Sequence, residues 1–324
     1  MRSYDRIDYR IRPAKSIERK MLADSFRRLA EFGPLPRYRY VGLGSLYFSD
    51  FTLFHKSLGF ERMVSIEDQH DLVTQQRFKL NVPYGHIDMR FGSAGVVLSR
   101  LSWEPMSIVW LDYDGALSAA CLRDIDYVTR HAAAGSLVII SVNAGDIRKA
   151  ESDAGGDGEG QTAGDLVDVL RRLVGVDEVP PTVVPRDLSG WGIAKVYREI
   201  INEKIARALR VRSGTEGAVS VAYKQLYNFH YSDGVKMLTV GGILHEEDGV
   251  DRVERCGFQH LDFLRFDEDS YLIDPPNLTH MEMRRLDADR ERADATPLPL
   301  RAADIEKYNR SYRYFPTFVE AEFS

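Results

Sequence analysis

Apolar positions along the chain recur with two periods, one helical and one strand-like, and the order in which they alternate predicts an architecture. Ile17, Met21, Leu22, Phe26 and Leu29 fall at helical spacing, which predicts an amphipathic helix over 16–32 with Ser16 placed to cap it. Short apolar runs at 38–43, 63–67, 87–91, 107–113 and 136–143 read as buried strands. Between them, helical patterns fall at 50–58, 72–80, 94–101 and 117–131. Strands alternating with helices imply a parallel sheet covered on both faces. After a Gly- and Asp-rich loop at 148–164, helical patterns resume at 165–174 and 191–209. Two β-rich runs, 219–230 and 235–244, then flank Tyr231-Ser232-Asp233-Gly234, a hairpin cue. The expected fold is α/β: a doubly wound, mostly parallel seven-stranded sheet with an antiparallel terminal hairpin. It divides into a basic helical segment at 1–36, a doubly wound α/β domain at 37–247, and an irregular extension at 248–324. The extension carries Asp274-Pro275-Pro276-Asn277, read as a rigid loop, a charged helix near 282–292, and an aromatic tail with Tyr308, Tyr312, Tyr314, Phe315 and Phe318.

Composition narrows the function classes. With 324 residues, 44% of them hydrophobic, the chain can bury a large core. The longest strongly apolar run, near 137–142, is too short to span a bilayer, and Arg2 and Asp5 stand where a signal peptide would be apolar, so a cytoplasmic protein without a membrane partner is expected. Cys121 and Cys256 lack metal-like spacing. A net charge of -6 argues against indiscriminate nucleic-acid binding, yet residues 1–40 hold eleven Lys or Arg against five Asp or Glu. A nucleic-acid strand could meet this basic head, but Arg19, Lys20, Arg27 and Arg28 read more simply as the solvated face of a helix. A homo-oligomer, joined through the aromatic tail, is compatible with the same sequence.

In open α/β sheets, ligands lie beyond the carboxyl ends of the strands. The first strand ends Val41-Gly42-Leu43-Gly44-Ser45, where missing side chains permit a tight turn and close approach of a ligand. The second ends Ser65-Ile66-Glu67-Asp68, with Glu67 23 residues past Gly44, near the separation of about 20 expected for an acid that binds ribose hydroxyls. A nucleoside site follows. Tyr47, where dinucleotide sites need a third glycine, speaks against nicotinamide cofactors. Over 38–145, and less closely to 244, the pattern resembles the class I S-adenosylmethionine-dependent methyltransferases, an O-methyltransferase-like branch being one that it admits. The resemblance implies S-adenosylmethionine as cofactor. It places Gly42, Gly44 and Ser45 around the methionine part, Glu67 and Asp68 at the ribose, and Ser93 at the adenine. Many members of that class carry Gly-Asp-Ala after the third strand, whereas this chain has Gly92-Ser93-Ala94.

The fourth strand ends Trp110-Leu111-Asp112-Tyr113-Asp114-Gly115, the place where the resemblance puts groups facing the transferred methyl. Asp112 is the first candidate for catalysis and for cofactor contact, and Asp114 the second, although Asp114-Gly115 also reads as a turn before a helix. Metal-assisted relatives pair an Asp-x-Asp here with Asp-Asn after the fifth strand. Val142-Asn143 keeps only the Asn, so Asp112, Asp114 and Asn143 make a thin ligand set and no metal is expected. Arg12 or Lys15, ahead of the first strand, could meet a carboxylate or phosphate of the substrate. The expected activity is methyl transfer to an oxygen or nitrogen of a small molecule or nucleotide. The alternative is a catalytically silent module of the same fold that binds a nucleoside or a partner.

Overall fold

The computed structural model describes residues 12–148, 166–214, 219–289 and 298–316. Five strands, β1 (Arg39–Leu43), β2 (Arg62–Glu67), β3 (Ile87–Phe91), β4 (Ser107–Ala116) and β5 (Leu137–Asn143), run parallel where they pair. Between them come helices α2 (Ser49–Leu58), α3 (Leu72–Leu80), α4 (Ala94–Leu98) and α5 (Ala119–His131). Near-continuous apolar strands suit a sheet buried on both faces. In β4, Val109 and Leu111 enter one core while Ile108 and Trp110 enter the other. The first core is covered by α4, α5, α6 (Leu166–Val174) and α7 (Gly192–Ser213). The second is covered by α1 (Pro13–Phe26), α2 and the segment after the hairpin, which includes α8 (Val250–Arg255).

The sheet has eight strands in the order β3-β2-β1-β4-β5-β7-β6-β8, and this corrects the expected seven. Here β6 (Val221–Ser232) and β7 (Lys236–Glu246) form the hairpin, with β7 inserted antiparallel between β5 and β6. The hairpin is therefore not terminal. The added strand, β8 (Tyr271–Ile273), lies parallel along Phe229–Tyr231. The C-terminal stretch also holds α9 (His280–Asp289) and α10 (Ala302–Ser311), more order than its weak pattern suggested. Tyr308 is buried, Tyr314 donates to Asp24 Oδ2 at 2.7 Å, and Phe318 lies outside the described residues, as does nearly all of the 148–164 loop.

Two further expectations change. Ser16 does not cap α1, which starts at Pro13; its first amides, Ala14 and Lys15, donate to the Asp233 carboxylate in the hairpin turn at 3.3 and 2.9 Å. Nor do Asp114 and Gly115 form a simple turn. They extend β4 through a bulge, so that Ala116 pairs with Asn143, and Ser118 then caps α5 by accepting the Cys121 amide. A bulge at a strand end re-aims the side chains around it. Among the described residues, no helix is long and apolar enough to cross a membrane.

Candidate functional site

The carboxyl ends of β1, β2, β3 and β4 open into a cavity of about 820 Å³, within the range of about 300–1,000 Å³ usual for small-molecule sites. Gly44, Ser45, Glu67, Asp68, Ser93, Asp112 and Asp114 all line it, so residues far apart in sequence come together as expected. Gly42 does not. It is buried one step back in β1, and a Cβ there would sit 2.7 Å from the Tyr40 hydroxyl, which donates to Asp50 at 2.5 Å. Burial pushes the Asp50 carboxyl up, while Arg19 and that hydroxyl pull it back. At Gly44 a side chain would collide with Ser65 Oγ and the Glu67 carboxylate, so the glycine is what lets Glu67 lean over the end of β1. Glu67 is 7% exposed, and its carbonyl accepts from Gly92 at 2.9 Å, tying the β2 end to the β3 end. Asp68 stands at the rim, beside His70 Nε2 at 3.2 Å. The turn from β1 into α2 closes on Phe48, which is buried in the left-handed region at φ 47°. That conformation costs a non-glycine residue about 1–2 kcal/mol.

The Asp112 end of the cavity is backed by α1. Lys15 is almost wholly buried, and its Nζ donates to Asp112 Oδ1 at 2.6 Å and to the Tyr231 hydroxyl at 3.0 Å, pairs with Glu18 at 2.8 Å, and lies 4.4 Å over the Trp110 ring. Behind it the hydrogen bonds have a fixed direction. Trp110 Nε1, a donor only, donates to Ser141 Oγ at 2.9 Å; Thr239 Oγ1 donates to Glu18; Ser141 therefore donates to Thr239 at 2.6 Å. Asp112, 27% exposed, is the member of this network that reaches the cavity. Lys15 thus meets a carboxylate, but the protein's own. The solvated reading of the basic head holds at Arg27, which is half-exposed, but not at Arg19, which is 8% exposed, or at Lys20, whose burial lowers its pKa and which donates to the Phe315 carbonyl at 3.2 Å.

Beyond Asp114 a second cavity, of about 730 Å³, is lined by Asn143, Asp146, Arg148, Ser189 and Lys236 among others. Asp114 belongs to both cavities and Asp112 to the first alone. Sequence reasoning missed Glu18, Tyr231, Asp124 and the second cavity. Asp124, on α5, lines the first cavity and accepts from the Tyr113 hydroxyl at 2.6 Å. Among the described residues, no group of three or more His, Cys, Asp or Glu side chains is placed to hold a metal ion.

Comparison with known proteins gives three findings. The model of the family described as "Putative O-methyltransferase" matches residues 7–323. No curated protein matches the chain. Among solved structures, Trm1 from Pyrococcus horikoshii with S-adenosyl-L-methionine is 13% identical over 74% of this chain and 57% of that one, with a TM-score of 0.42. The B. subtilis M1A22 tRNA methyltransferase TrmK is 8% identical over 89% and 92%, with a TM-score of 0.35. A "probable spermidine synthase from Corynebacterium glutamicum ATCC 13032" is 18% identical over 43% of this chain, with a TM-score of 0.34, and the chain spans about half, 53%, of that protein.

Proposed function

The chain belongs to the family described as "Putative O-methyltransferase", and from that premise we propose that it is a Rossmann-like, S-adenosylmethionine-dependent enzyme that moves a methyl group to an oxygen or nitrogen of a small molecule or nucleotide seated in the second cavity. One observation carries the reading: the nucleoside cavity and its neighbour meet at Asp114, with Asp112 beside that junction. The lining of the first cavity fits the cofactor in charge. Glu67, Asp68, Asp112, Asp114 and Asp124 face Arg123 as the one basic side chain among the lining residues. Such a wall favours a sulfonium cation and repels the pyrophosphate of a dinucleotide. Bound there, S-adenosylmethionine supplies an electrophilic methyl.

The chain's own residues supply the rest. Glu67 accepts from the ribose hydroxyls, fixing the nucleoside along the strand ends. Asp112 accepts the hydrogen of an incoming O–H or N–H and takes its proton as the acceptor attacks, while the Lys15 ammonium keeps the carboxylate oriented. Asp114, at the mouth between cavities, helps hold the acceptor in line, since transfer needs the reacting atoms at near-attack distance. Calorimetric titration with S-adenosylmethionine and S-adenosylhomocysteine tests the reading, beside NADH and a Glu67→Ala variant. Hydrogen bonds to a charged acceptor are worth about 1.5–3 kcal/mol each, so the variant is expected to bind at least about tenfold more weakly. Unaltered binding in Glu67→Ala, or NADH binding in place of both sulfur compounds, overturns it.

A further inference from the structure

Another part of the first cavity lies where the exit of β3 and the first turn of α4 face α5. Gly92, Ser93, Ala94 and Gly95 form one wall there, and Ala120, Arg123 and Asp124 the other. Asp124 is 7% exposed yet belongs to the lining, so it presents a carboxylate to the cavity from within the protein. Its Oδ2 is held by the Tyr113 hydroxyl at 2.6 Å. Its Oδ1 lies against the start of α4, where a Cβ on Gly95 would come within 2.9 Å of it; a side chain at 95 would displace the carboxylate. Burial pushes the Asp124 carboxyl up, and the Tyr113 hydroxyl and Arg123 pull it back.

The chemistry of a nucleoside decides what this part must do. With Glu67 on the ribose, the base extends towards Ser93 and α5, and an adenine brings an exocyclic amino group that donates. Arg123 is a donor and cannot receive it. Ser93 can accept, but as a neutral group it is the weaker partner, because a charged acceptor roughly doubles the strength of the bond. Asp68 is 62% exposed at the ribose rim. Resting on the S-adenosylmethionine reading above, we propose that Asp124 accepts the adenine 6-amino group through Oδ1 and is the residue that selects adenine.

A base with a 6-oxo group would set a lone pair against this oxygen, so the assignment predicts discrimination. The test is titration of wild type, Asp124→Asn, Asp124→Ala and Ser93→Ala with S-adenosylhomocysteine and S-inosylhomocysteine, with circular dichroism as the check on folding. Wild type is expected to prefer the adenosyl compound by about a hundredfold, the scale of leaving a buried charged acceptor unpaired. Asp124→Ala should reduce the preference to a few-fold. Asp124→Asn keeps the size of the side chain and the Tyr113 contact but offers an amide donor, and should shift the preference towards the inosyl compound. Ser93→Ala should leave it near the wild-type ratio. Retention of the wild-type ratio in folded Asp124→Asn overturns the assignment alone. Failure of wild type to bind either compound removes the cofactor reading and the assignment together.

Discussion

Lys15 carries its charge deep inside the protein. Its ammonium, 2% exposed, is cut off from water and faces Glu18 and Asp112 together. Removing it leaves two carboxylates without their counter-charge, one of them fully buried. Lys15→Met is therefore expected to lower unfolding free energy by about 3–5 kcal/mol in urea denaturation, and Lys15→Met combined with Glu18→Gln to recover part of that loss. An unchanged urea midpoint in the single variant would mean that the pairing contributes nothing. The sequence could not reveal this cluster. Arg19 and Lys20 read as a wetted helix face because charge on a helix usually faces water, Lys15 read as a contact for a substrate anion, and the partner that draws Lys15 inward, Asp112, is 97 positions away. Glu67 and Gly44 were legible for the opposite reason: each sits at a strand end, where the alternation of periods fixes its place.

At the scale of elements, long strands and helices with several repeats of their period were readable, and short or bulged ones were not. β8 has three residues, too few to display an alternation, and Gly115 looks like a turn although the bulge carries β4 past it. The cap of α1 escaped notice because it comes from the hairpin turn, 218 positions from the amide of Lys15. Asp233→Ala is expected to cost about 1 kcal/mol, the usual worth of such a cap. Amide hydrogen exchange checks it: protection should fall at Ala14 and Lys15 first, and equal protection in wild type and variant would assign the cap to other groups.

At the scale of the whole molecule, the two covered faces of the sheet make stability depend on pH through His230. This imidazole is 3% exposed and stacks on Trp191 at 4.7 Å; burial, with Lys195 nearby, lowers its pKa from 6.5 to about 4. Between these values the unfolded chain binds a proton that the folded one refuses. Stability contributed by the neutral ring is thus complete above pH 6.5 and declines as pH falls through that window, by up to about 3 kcal/mol. His230→Phe keeps the stack and has nothing to titrate. Its urea midpoint should fall less than that of wild type between pH 7 and 4.5, and parallel curves would locate the acid sensitivity elsewhere.

The docking of α1 has one more consequence. The walls of the first cavity come from the strand ends with α4 and α5, whereas the charge beside Asp112 arrives on the first helix. In the proposed reaction, capturing the cofactor and being ready to use it thus fall to different parts of the chain. On that proposal, occupancy and turnover are separable by disturbing a segment that does not line the first cavity.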